Sequence, residues 1–181
     1  MEVDNTNRLM VATEIALKQG LEVWLTPTMW NKKQDQTLAY IEGVAESAEK
    51  LLREYPESLV LVVGGELTLF MHGIVEGRNV MERMAKLMAK YKQENQTGKV
   101  NFSEINSRLR EAERSKLLDK YLKRAATSVR QVFHGKITYA SLLWEFVDWN
   151  LFDYVSVDHY RVERIKDQFI LNKVHNSHLR I

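Results

Sequence analysis

The chain contains no cysteine. Disulfide bonds and thiolate catalysis are thereby excluded, and a structural zinc centre loses its commonest ligand. Long hydrophobic runs are missing too: no apolar stretch approaches the ~18 residues of a membrane-crossing helix, so no membrane partner is expected. The first residues, MEVDNTNRL, are polar and acidic and lack the basic-then-apolar order of a signal peptide, which makes a cytoplasmic location the expectation. Net charge is scarce. Lys and Arg number 26 against 24 Asp and Glu, giving +2, too balanced to indicate nucleic-acid binding. The basic residues from Arg108 to Arg130 alternate with Glu111, Glu113 and Asp119 and read as a solvated helix face. A Gly-rich phosphate loop is absent, since GGEL is too short to count as one. No His, Asp or Glu spacing matches a metal site, so neither cofactor nor metal is expected.

What is present is an ordinary globular composition: 181 residues, 45% hydrophobic and 28% charged. This suits a single domain over 1–181 with a sizeable core. Apolar periodicity predicts a helix over Asn7–Lys18 stopped by Gly20, and another capped by Asp35 and stopping before Pro56. Further helices are expected over 79–91 and from about Asn101 or Ser103 to Phe133, the last stopped by Gly135. Strands are expected near 21–26, 59–65, 136–140 and 153–158. Helices lie between nearly all strands, and the VLVV run is apolar on both faces. Both features indicate a parallel sheet covered by helices, hence an α/β fold.

The stretch LVLVVGGELTLF (59–70) carries the sharpest chemical signal. An apolar strand meets two glycines, which let the backbone bend and other groups approach closely. Glu66 follows at once. A carboxylate at the end of a buried strand, partly stripped of water, suits general-acid work. In α/β folds function gathers at the carboxyl ends of strands, and these ends are rich in residues that bind sugars. The first offers Trp24, Thr26, Thr28 and Trp30. The third offers Tyr139, Ser141, Trp144 and Glu145, and the fourth Asp158, His159, Tyr160 and Arg161. Aromatic faces stack on the C–H face of a pyranose, and carboxylates and imidazoles bind its hydroxyls. Trp24, Trp30, Tyr139, Trp144, Asp158, His159 and Tyr160 are therefore candidate substrate-binding residues, with Glu66, Trp24, Tyr139 and Asp158 or His159 expected to converge. His72 and His134 read as structural.

GLEVWLTPTMWN, VVGGELTLFMHGI and ITYASLLWEFVDWNLFDYVSVDHYR together resemble a group of bacterial and archaeal TIM-barrel proteins related to glycoside hydrolases, often carried under an abortive-infection label. The pattern is similar to the clan of retaining glycosidases with two catalytic glutamates, which includes endo-galactanases and mannanases. The resemblance runs over roughly residues 5–172. It implies a partial (β/α)8 TIM barrel of about four parallel strands, barrel strands three to six, with Glu66 as the acid/base glutamate. The clan's nucleophile, a glutamate ending strand seven, has no counterpart, because no glutamate follows Glu163. The resemblance thus implies a fragment that is inactive alone. The alternatives are a non-catalytic carbohydrate-binding protein and an interaction protein that self-associates through its open sheet edges. A half-barrel would also be expected to expose the apolar inner face that its missing strands cover.

Overall fold

The computed structural model describes residues 2–94, 113–142 and 144–158. His159, Tyr160, the helical pattern after Val162, and the opening of the long charged helix lie outside the described residues. In chain order the elements are α1 (Glu2–Lys18), β1 (Val23–Leu25), α2 (Gln34–Glu54), β2 (Leu59–Gly65), α3 (Leu67–Phe70), α4 (Val80–Glu94), α5 (Glu113–Val132), β3 (Lys136–Leu142), a 3-10 turn (Trp149–Leu151) and β4 (Ser156–Asp158). The strands form one sheet in the order β1-β2-β3-β4, and every pairing is parallel. This is a curled half-barrel with covering helices, as the alternation of strands and helices implied.

β2 and β3 appear close to where the sequence places them, because their apolar runs are buried on both faces. Period-two alternation sorts their side chains. Leu59, Leu61 and Val63 of β2, with Ile137 and Tyr139 of β3, join Ile41, Val44 and Ala48 of α2 and Leu122, Ala125 and Val129 of α5 in one core. The alanines let α2 and α5 come close to each other and to the sheet. Each fully buried Leu, Ile or Val stabilises the fold by about 1.5–3 kcal/mol.

The opposite, concave face is not the exposed apolar surface expected of a half-barrel. Val60, Val62, Thr138 and Leu142 there are all buried. Curvature contributes to this. Trp24 of β1 and Tyr154, just before β4, belong to opposite edges of the sheet, where flat strands would stand about 14 Å apart. Their ring centroids are nonetheless 5.2 Å apart.

The helix ends follow local rules, with two corrections. Gly20 has φ +76°; its N–H bonds the Leu17 carbonyl and the Leu21 N–H reaches Ala16. That is a Schellman ending, which needs a residue tolerant of the left-handed region. Gly135 does not work this way. It has no positive φ, but a Cβ there would meet Phe133 Cζ at 2.7 Å and Leu52 Cδ1 at 2.9 Å, so a larger residue would push these two side chains aside. Asp35 is not the cap of α2 but lies inside its first turn, where its carboxylate suits the helix dipole and binds Arg124 of α5 at 2.7 Å. No helix among the described residues is long and apolar enough to cross a membrane.

Candidate functional site

The end of β2 is shaped by a bulge. Val62 pairs with Thr138, but Gly65 pairs with Ala140, so β2 spends one residue more than β3 over this interval. Gly64 sits in the bulge with φ +143°, and a Cβ there would lie 3.0 Å from Leu67 Cδ1. The glycine pair read from the sequence as permission to bend thus has a specific use: it re-aims the strand just before Glu66.

Glu66 is only 6% exposed. Its backbone is left-handed, with φ 50° and ψ 39°, a conformation that costs a non-glycine residue of order 1–2 kcal/mol. Among the described residues only Asn31, at φ 56°, shares this feature, and asparagine tolerates it well. The surroundings hold Glu66 in place. Its N–H donates to the Ala140 carbonyl at 2.9 Å, and its own carbonyl accepts from Leu69 N–H at 2.8 Å and Phe70 N–H at 3.0 Å.

The residues that follow are pinned by a buried network. The Leu67 N–H donates to the Tyr139 hydroxyl at 3.0 Å. The Thr68 N–H and hydroxyl donate to Glu145 Oε1 at 2.9 and 2.7 Å. Glu145 Oε2 accepts from the Tyr139 hydroxyl at 2.8 Å and from Leu142 N–H at 2.9 Å. Burial pushes the Glu145 carboxyl above the usual carboxylate range, against the pull of the Thr68, Leu142 and Tyr139 hydrogen bonds. Burial, followed by the neighbouring Glu145 charge, pushes the Tyr139 hydroxyl well up. Glu145 therefore works as a fastener for α3, with both oxygens committed to protein donors.

The other sequence-derived candidates divide by level and by face. Glu66, one residue past the Gly65–Ala140 pair, and Asp158, paired with Leu142, both stand at the carboxyl end of the sheet. Tyr139 shares the core with the helices rather than the concave face, and its hydroxyl is engaged in the buried network. Trp24 pairs with Val60, six residues before Glu66 and so about 20 Å lower along the strand direction. It lies against Tyr154, with its indole N–H bonded to Glu22 Oε1 at 2.8 Å. The structure does not bring it to Glu66, because β1 is short and ends level with Leu61 of β2. Trp144 is half-buried after β3, and its indole N–H is buried without a hydrogen-bond partner. Trp30 does reach the carboxyl end, since its loop is laced to α3: Asn31 N–H donates to the Phe70 carbonyl at 2.8 Å.

Sequence reasoning missed Arg83. It is completely buried, and no carboxylate is among its hydrogen-bond partners, which are the Leu69 and Gly77 carbonyls, Asn31 Oδ1 and His72 Nδ1. One guanidinium thus ties together the Trp30 loop, the end of α3 and the loop before α4. Burial lowers its pKa. Gly77, at φ +155°, leaves room for it, because a Cβ there would meet Arg83 Cγ at 2.7 Å. The signal was available: Arg83 falls on the stripe Val80, Met84 and Leu87 that turns α4 inward.

A shallow groove lined by His72, Ile74, Val75, Gly77 and Leu117 runs beside the loop after α3 and does not include Glu66. Among the described residues no group of three His, Asp or Glu side chains is placed to hold a metal ion. No protein-family model matches the chain, and no curated protein is similar to it in sequence.

Proposed function

We propose that the chain is a glycoside-hydrolase-like half-barrel in which Glu66 is the acid/base carboxylate for O-glycosidic bonds, and that this chain alone does not complete the reaction. One observation carries the reading: a nearly buried glutamate, held in a strained left-handed conformation directly after a bulge at the carboxyl end of a parallel strand. Strain of this kind collects at functional sites, and burial suits a carboxyl that must donate a proton.

Retaining chemistry needs a second carboxyl ~5–5.5 Å away. Glu145 is unsuited to that role, since both its oxygens are held by protein donors. Asp158 is two strands across from β2, about 10 Å between backbones, and its side chain is short. With neither of these two described carboxyls placed for it, the expected result is no hydrolysis of aryl glycosides or polysaccharides, with Glu66→Gln changing nothing. Azide supplies the missing nucleophile in a direct test. With a panel of phenyl glycosides, whose leaving group is basic enough to need a proton, azide attacks the anomeric carbon, the glycosidic bond breaks, and Glu66 protonates the departing phenolate. Azide-dependent release of phenol that Glu66→Gln abolishes supports the assignment. Release that is unaffected by Glu66→Gln, or no release from any glycoside, removes it.

A second reading is carbohydrate binding without turnover, favoured by the 62% exposure of Trp30. Self-association is favoured by Val11, Ile15 and Leu21, which are exposed on and just after α1, the helix that packs on edge strand β1. Sedimentation at micromolar concentration tests it; a monomer throughout would remove it.

A further inference from the structure

Trp30 combines two properties that rarely occur together: it is exposed, and it is firmly held. Its ring lies on Phe70 with centroids 5.2 Å apart and planes 13° from parallel. Among the described residues, only one face of the indole carries a ring contact. The chain just after it is fixed on both sides. Asn31 N–H bonds the Phe70 carbonyl, His72 N–H bonds the Lys32 carbonyl at 2.9 Å, and Arg83 grips Asn31 Oδ1. A surface loop that only needed a polar cover for Phe70 would not require a large indole with most of its area in water. A rigid aromatic with one free face suits a binding platform, since little side-chain freedom remains to be lost on contact.

The platform and Glu66 belong to one unit. Phe70 ends α3 and Glu66 caps its start, so their backbones are about 6 Å apart. The Phe70 N–H donates to the Glu66 carbonyl. The spacing is within reach of a short oligosaccharide. We infer that the free face of Trp30 is a stacking subsite for the C–H face of a pyranose in a chain that extends toward Glu66. This rests on the carbohydrate reading of Glu66 given above. A nucleobase could stack on the same ring, so a nucleotide is the competing ligand in the test.

The test uses the whole 181-residue chain, labelled with 15N. It is titrated with neutral β-linked hexasaccharides of glucose, mannose and galactose, and with adenosine monophosphate. Two signals are followed: the Trp30 indole N–H, assigned through Trp30→Phe, and the Glu66 amide. The expected result is that a hexasaccharide moves both and that Trp30→Ala, still folded, binds it about tenfold more weakly. Trp30→Leu still covers Phe70 but cannot stack on a sugar, so full affinity in that variant overturns the subsite. A saccharide that moves Glu66 but not Trp30 also overturns the subsite and leaves the carbohydrate reading standing. Movement of Trp30 without Glu66 supports the platform and removes Glu66 from the site. No movement of either, or binding of the nucleotide in place of the sugars, overturns the subsite.

Discussion

Replacing Glu145 tests how the candidate site is held. Among the described residues, its carboxylate accepts four hydrogen bonds, two from hydroxyls and two from the backbone N–H groups of Thr68 and Leu142. Hydroxyls can rotate toward other acceptors, but backbone N–H groups cannot. Glu145→Ala removes this acceptor from both, at about 1–3 kcal/mol for each buried donor left unsatisfied. The expected loss is roughly 2–6 kcal/mol, or on the order of 10 °C in melting temperature for a chain of this size. Glu145→Gln keeps the shape. Whichever way its amide turns, however, its NH2 meets one of the two N–H groups, so about 1–3 kcal/mol should be lost.

The pH dependence separates burial from hydrogen bonding. Burial raises the folded-state pKa of Glu145, so folding favours the protonated form. The stability this provides is fully present below the unfolded value of about 4.3 and is lost as pH rises through the folded pKa. Glutamine has no such dependence. The difference between wild type and Glu145→Gln should therefore be widest in acid and narrow toward neutral pH. Urea midpoints for both proteins between roughly pH 4 and pH 8 measure it. A difference that stays constant or widens with pH would falsify the reasoning, because it would mean that the four hydrogen bonds outweigh burial and hold Glu145 ionised.

Three further outcomes are expected. Gly64→Ala should cost about 1–3 kcal/mol and shift the Glu66 amide signal, since φ +143° suits only glycine; an unchanged urea midpoint would show that the bulge is not needed. Arg83→Met should lose about 1–3 kcal/mol and speed amide hydrogen exchange at Asn31 and His72 far more than in α2; uniform exchange would mean that Arg83 does not clamp the loops. The Glu49 carboxyl is held low, first by the His134 N–H and also by the His134 ring. Its contribution is thus present above the unfolded carboxylate pKa and lost as pH falls through the folded one. Glu49→Gln should flatten the acid limb of the stability profile, and an acid limb as steep as wild type's would show that the pair adds nothing.

Much of the fold was legible in the sequence because hydrophobic burial leaves a pattern. The LVLVV and ITYAS runs mark strands buried on both faces, and the helix periods between them require parallel crossovers. Glu66 was legible for a local reason too, as a carboxylate placed directly after a glycine pair. Strand register is not local. Trp24 and Glu66 both follow apolar strand residues, yet the pairing of Trp24 with Val60 sets them at different levels. Which face Tyr139 takes, and the fact that Glu145 reaches back to Thr68, depend on contacts 72 and 77 residues apart in the chain. The inward position of Arg83 follows from the stripe on α4, but its partners were set only when α3 and the Trp30 loop closed around it. The sequence by itself determined the elements, their parallel order and the residue types at the strand ends, because those follow from nearest-neighbour sterics and apolar periodicity. The tertiary structure alone decided which of those residues share a site, because level, face and hydrogen-bond partner are set by packing between segments far apart in the chain.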